Sequence, residues 1–164
     1  MAEGVFRHLS SQLGGAGFFE VESAGTVCYQ AGSFPDPRAV RAAGLHGIDI
    51  SRVRSQCIHD LDLNGFDLVF TMDHENYRDV LDVLDDGGRP VVYMMTEFAD
   101  ETAVEEIEDP YYGPEEGFES TLKRLIVCAE GILSHLLAAQ GSVEGSEACD
   151  SQETIQGGTR DAAR

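Results

Sequence analysis

The sequence predicts an α/β fold, a parallel sheet with helices on both of its faces. Three observations carry this. Short apolar runs of strand length alternate with segments whose apolar residues recur at helical spacing, in the order helix, strand, helix, strand, helix, strand, helix. That alternation implies parallel strands joined by right-handed crossovers. Residues 67–72, Asp-Leu-Val-Phe-Thr-Met, are nearly continuously apolar, as strands covered on both faces are. Finally, 164 residues, 42% of them hydrophobic, suffice for one domain with a substantial core.

Residues 1–13 read as a helix, with Met1, Val5, Phe6, Leu9 and Leu13 along one stripe and Gly14, Gly15 and Gly17 to stop it. Residues 18–23 read as a short strand, followed by a loop punctuated by Gly25, Gly32 and Pro35. Asp36 is placed to cap a helix that has Pro37 at its first position and ends near Gly47. After the strand at 67–72 comes a helix over 73–84, closed by Asp85-Asp86-Gly87-Gly88. A second buried strand is expected at 91–95, then an acidic loop over 97–116. The last helix, 118–139, repeats Leu122, Leu125, Ile126, Ala129, Leu133, Leu136 and Leu137 at helical spacing. The domain is expected to span 1–140. Residues 141–164, rich in Gly, Ser and Glu, with five acidic and two basic residues, read as a disordered acidic tail.

Charge narrows the function. There are 30 Asp and Glu against 11 Lys and Arg, a formal net charge of −19, and Lys123 is the single lysine. Such a chain repels nucleic acid and anionic membrane, so neither is an expected partner. An anionic substrate needs a local basic site to override the global field. Cys28, Cys57, Cys128 and Cys149 are widely spaced, form no C-x-x-C, and have no histidine at metal-ligand spacing. They read as reduced thiols of a cytoplasmic protein, packing or surface residues, with Cys128 the clearest core candidate and no metal implied. Nothing resembles a signal peptide or a membrane span.

Three patterns bear on function together. The first is Ser23-Ala24-Gly25-Thr26 with Pro35-Asp36-Pro37-Arg38-Ala39 after it. The second is Met72-Asp73 with Asn76, directly after the buried strand. The third is Asp109-Pro110-Tyr111-Tyr112-Gly113, then Gly117-Phe118-Glu119. In this order and at this spacing, with the opening Met-Ala-Glu-Gly-Val-Phe, residues 1–138 resemble the low molecular weight protein tyrosine phosphatase family. The resemblance implies a flavodoxin-like sheet of order 2-1-3-4, to which the three visible strands contribute strands 2, 3 and 4. It implies hydrolysis of a phosphotyrosine protein or a small aryl phosphate through a phosphocysteine, without metal or cofactor.

In that family a Cys-x5-Arg loop supplies the thiolate nucleophile, the ring of N–H groups and the guanidinium that hold the phosphoryl oxygens. This chain begins where that loop ends. None of its cysteines has an arginine six positions on: Phe34, Leu63, Ser134 and Ile155 stand there. The expectation is a sequence incomplete at its start, lacking the central first strand and the loop, as when an internal methionine is read as the initiator. Strands 2 and 3 would then flank an empty slot, each unpaired backbone group costing about 1–3 kcal/mol. As written the chain is expected to be inactive. The alternatives are a pseudophosphatase acting as a binding module, or a nonfunctional fragment.

Asp109 reads as an Asp-Pro turn or, by the resemblance, as the general acid and base, with Glu105, Glu106 and Glu108 beside it to raise its pKa. Tyr111 and Tyr112 match a pair flanking the substrate pocket, or are plain loop aromatics. Tyr29 matches an aromatic wall for the substrate ring, or is an exposed loop tyrosine. Ser23 matches a serine that supports the phosphate loop, or bonds its own backbone. His46-Gly47-Ile48 fits the same network, although Arg52 stands where some members carry histidine. Asp73 with Asn76 reads most simply as a helix cap. Arg38 reads as a surface partner of nearby acids, and the acidic stretch 97–119 as a solvated loop.

Overall fold

Two four-residue strands pair in parallel and anchor the architecture. In the computed structural model, which describes residues 1–13, 17–84, 89–99 and 105–147 (without the side chains of 140–147), β1 (Leu68–Thr71) lies beside β2 (Val91–Met94) in the register Leu68–Val91 to Thr71–Met94. The helices are α1 (Ala2–Gln12), α2 (Pro37–Leu45), α3 (His74–Val83) and α4 (Glu115–Glu147). The glycines at 14 and 15, the Asp-Asp-Gly-Gly at 85–88, residues 100–104 of the acidic loop and residues 148–164 with Cys149 lie outside the described residues.

Side-chain alternation along the strands divides the molecule into two layers. Val69 and Val92 point to one face, where Ile58, Leu63 and Val80 of α3 form a small core. Phe70 points to the other, towards a larger core built by Val5 of α1, Ala39, Ala42 and Ala43 of α2, and Phe118, Leu122, Leu125, Ala129 and Ile132 of α4. Helices therefore cover both faces, as the sequence predicts. Helix α4 is the central beam. Cys128 is buried in its core stripe, as expected, and that burial pushes its thiol pKa up. Gly131 is required on α4 because its missing Cβ makes room for the carbonyl oxygen of Phe98.

Local chemistry sets the helix ends. Asp36 Oδ1 accepts from the Arg38 N–H at 2.7 Å, and Pro37 occupies the first turn of α2. Gly47 adopts φ +74°, and Ile48 N–H then closes on Ala43 O at 3.0 Å. Asp73 Oδ1 accepts from the Asn76 N–H at 2.6 Å, so the Asp73–Asn76 pair is the cap of α3. Glu115 and Glu116 open α4 where the helix dipole favours negative charge.

Four expectations need correcting. Residues 18–23 form no strand. Extended backbone becomes a strand only by laddering with a neighbour. Here the described partners of the 18–23 backbone are side chains, the Arg7 guanidinium on Val21 O at 2.6 Å and Gln56 Nε2 on Ser23 O at 3.3 Å, and the parallel bridge from Gly25 to Cys57 lies just beyond the segment. The described sheet therefore has two strands rather than three. Cys28 and Cys57 are not separate thiols but a disulfide pair, because the Gly25–Cys57 bridge brings the two segments together, with Cα atoms 4.7 Å apart. Helix α4 starts earlier than 118 and runs through Glu147, seven residues into the segment read as tail. Extending an existing helix costs far less than nucleating one, and no proline interrupts it. Leu13 is 56% exposed and lies off the buried face of α1.

Candidate active site

The residues Asp109 to Gly113 form a compact double turn. The Asp109 carboxylate accepts from the Tyr111 N–H at 3.0 Å, and Gly113 N–H donates to Pro110 O at 2.9 Å. The loop enters through Ile107, which is buried and whose N–H donates to Met72 O at 2.8 Å, just past the end of β1. It leaves through Phe118, buried at the start of α4. Thr121 Oγ1 donates to Glu108 O at 3.3 Å and Thr96 Oγ1 to Glu105 O at 2.9 Å. Such backbone anchoring is unexpected for a segment read as solvated. The loop therefore stands at the carboxyl end of β1, where open parallel sheets carry their sites.

Three tyrosines gather beside Asp109. The rings of Tyr111 and Tyr112 meet edge to face at 5.1 Å. Tyr29, in a 3₁₀ turn over Cys28–Gln30, has its side chain beside that of Tyr112. The neighbouring Tyr29 hydroxyl pushes the Tyr112 phenol above its ordinary value, and the nearby charge of Asp109 adds to it. Tyr29 and Tyr112 are 74% and 89% exposed, so an aryl group from solvent has access to both faces of this edge. Of the residues singled out from sequence, the structure brings Asp109, Tyr29, Tyr111 and Tyr112 together. Of the three neighbouring glutamates, Glu106 is engaged elsewhere: its carboxylate accepts from the His74 N–H at 2.9 Å.

Ser23 belongs to a different cluster. Its hydroxyl donates to Glu3 Oε2 at 2.6 Å, and Glu3, buried in the first turn of α1, also pairs with Arg7 at 3.0 Å. The serine thus ties the 18–25 segment to α1 rather than bonding its own backbone. Arg52 lies in an open groove of about 680 Å³ with Arg7, His8, Arg54, Glu3 and Asp49, a lining that includes none of the Asp109 cluster. Among the described residues, no group of three or more His, Cys, Asp or Glu side chains is arranged to hold a metal ion. No helix among them is long and apolar enough to cross a membrane.

The reading of Arg38 as a surface partner misses most of its contacts. Its side chain crosses from α2 to the Asp109 loop, bonding backbone carbonyls 73 and 75 positions away. The sequence carries one hint, an arginine two residues after a capping aspartate. The Cys28–Cys57 pair has no such signal, since a separation of 29 residues says nothing about proximity.

A parallel sheet between two helical layers, with an Asp-Pro-Tyr-Tyr loop at its carboxyl end, is the architecture of a class of protein tyrosine phosphatases. The chain superposes on a crystal structure of protein tyrosine phosphatase from Entamoeba histolytica with Hepes in the active site, at a TM-score of 0.79 and 27% identity over 85% of this chain and 88% of that one. Within that class, the low molecular weight phosphotyrosine protein phosphatase family profile matches residues 1–142, and the chain belongs to this family. Relatives include the low molecular weight phosphotyrosine protein phosphatase of Schizosaccharomyces pombe, 31% identical over 137 residues, covering 83% of this chain and 87% of that protein. The human protein of the same description is 30% identical over 135 residues, covering 81% and 84%.

Proposed function

We propose that residues 1–140 form the acid/base and substrate-facing part of an enzyme that hydrolyses phosphotyrosine or small aryl phosphates. The observation that carries this reading is the cluster itself: a solvent-facing carboxylate held by its own loop, bordered by tyrosine rings contributed by two segments far apart in sequence. In this reading a thiolate attacks phosphorus and forms the S–P bond as the P–O bond to the phenolate breaks. Asp109 gives its proton to the departing phenolate. As carboxylate it then takes a proton from the water that cleaves the phosphocysteine, releasing phosphate and restoring the thiolate. Tyr29 and Tyr112 border the substrate ring. Ser23, through Glu3, steadies the start of α1, the helix that follows the phosphate loop in the family.

No cysteine of the 164 residues is followed by an arginine six positions on, and we propose that this chain by itself gives no turnover. The acidic Asp109 loop disfavours acidic phosphopeptides. A stable fold without turnover is also what a binding module of pseudophosphatase type requires.

The test is an aryl phosphate assay on two proteins: the chain as it stands, and the chain extended at its N-terminus by a strand and a Cys-x5-Arg loop. The expected result is release of phenol by the extended protein alone, falling about 10²- to 10⁴-fold on Asp109→Asn. Turnover by the unextended chain would overturn the assignment of the nucleophile. An extended protein that traps phosphotyrosine peptide without hydrolysing it supports the binding-module reading.

A further inference from the structure

Arg38 makes more contacts to the Asp109 loop than any feature of its own helix requires. Its guanidinium forks onto Asp36, with Nε to Oδ1 at 3.1 Å and Nη2 to Oδ2 at 2.8 Å. The opposite edge donates to two backbone carbonyls, Nη1 to Gly113 O at 3.1 Å and Nη2 to Tyr111 O at 2.9 Å. Its plane lies over the Phe118 ring at 4.4 Å and near the Tyr111 ring at 5.9 Å. One planar group is thus held from below by an aromatic ring, fixed on one side by a carboxylate, and used on the other to grip a loop.

The gripped carbonyls are significant. They bracket Tyr112 and follow directly on the turn that orients the Asp109 carboxylate. Neither carbonyl is needed to close that turn, which is made by Tyr111 N–H and Gly113 N–H. The turn fixes the loop's internal shape, whereas the guanidinium fixes its placement relative to α2. The Asp36 fork matters because it pre-orients the donors: the carboxylate is itself immobilised as the cap of α2.

We infer that Arg38 is a positioning residue for the Asp109 loop. It sets where Asp109 and Tyr112 stand relative to the α2 side of the molecule, and so the contact of Tyr112 with Tyr29. Its consequence for hydrolysis rests on the role proposed above for Asp109, but the placement itself does not. A lysine cannot replace it, because a single ammonium cannot span a carboxylate fork and two carbonyls while lying flat on Phe118.

The test reads loop order without substrate, in the full chain. Amide hydrogen exchange is followed at 109–113, with the α4 core amides as internal control, and the phenol pKa of Tyr112, raised by its neighbour Tyr29, is followed by NMR. Arg38→Met is expected to speed exchange at 111–113 about tenfold or more, the scale of losing charge-assisted bonds, and to return the Tyr112 phenol towards its ordinary value while α4 protection holds. Arg38→Lys keeps the positive charge and an aliphatic stem and serves as the second variant. It too should lose the raised Tyr112 value. Unchanged exchange and an unchanged Tyr112 titration in these variants would overturn the inference, as would full restoration by lysine. Because no turnover is measured, failure of the hydrolase reading would leave this result distinguishable.

Discussion

Two irregular segments border the tyrosine cluster, and they are held in place by different physics. Residues 17–35 carry Phe18, Val27, Tyr29 and Phe34, all exposed, Phe18 to 68%. Their described anchorage is largely to residues 55–58: Gly25 N–H to Gln56 O at 2.9 Å, Ile58 N–H to Gly25 O at 3.0 Å, Gly32 N–H to Ser55 O at 2.7 Å, and the Cys28–Cys57 disulfide. Residues 105–118, far more acidic, are held by burial. Ile107 is 3% exposed, Phe118 is equally buried, and α2, α4 and the turn after β2 all bond their backbone. Apolar composition and order in space have come apart. The hydrophobic segment depends mainly on bonds to residues 55–58 and one covalent link, with side-chain ties to α1, and the charged segment on two buried side chains and side-chain bonds to its backbone.

That contrast predicts different failures. The largest effect is expected for Ile107→Asp, which puts a charge into the core under the Asp109 loop. It should cost about 4 kcal/mol, read as a lowered urea midpoint, whereas the same change at exposed Phe18 should alter stability by less than about 0.5 kcal/mol. Next is Cys57→Ser. Opening a cross-link between residues 29 apart should cost about 3 kcal/mol. Hydrogen exchange should rise at 25–33 and stay unchanged at 105–118. Thiol titration under denaturing, non-reducing conditions should find one newly free cysteine, Cys28.

The smallest effect concerns acid. The Arg38 guanidinium beside Asp36 holds that carboxyl below its ordinary value of 3.8. A depressed folded-state pKa contributes stability that is present above the unfolded value and lost as pH falls through the folded one. Asp36→Asn keeps the cap but removes the charge. Wild type should therefore exceed the variant in stability at neutral pH by a margin that disappears only below pH 3.8. The difference should be accompanied by loosening of 111–113 and not of 25–33.

Much of this was legible in the chain. The caps at Asp36 and Asp73 follow from residue chemistry within one turn of helix, and both sit where the sequence puts them. The stripe on α4 was legible because burial repeats with helical period, including Cys128. The Asp109 loop was found as a motif, but its anchors were not. Nothing local distinguishes Ile107 in an acidic run from an exposed residue, or Arg38 from any other surface arginine. The expected strand at 18–23 failed for a related reason, since apolar and β-branched content gives propensity without a ladder partner. The pairing of Cys28 with Cys57 was equally invisible, because closeness across 29 residues is a property of the fold.

By itself, then, the sequence determined what is encoded within a helical turn or a strand's alternation: the α/β class, the helix boundaries set by caps, the core face of α4, and the Asp-Pro-Tyr-Tyr motif with its family. Its charge of −19 also fixed the field any anionic ligand must enter. Only the tertiary structure decided which distant groups meet: Tyr29 with Tyr112, Ser23 with Glu3, Arg38 with the carbonyls of Tyr111 and Gly113. The physical reason is range. Capping and periodic burial act over a few residues, whereas these contacts exist only once the layers of the fold bring separate segments within hydrogen-bonding distance.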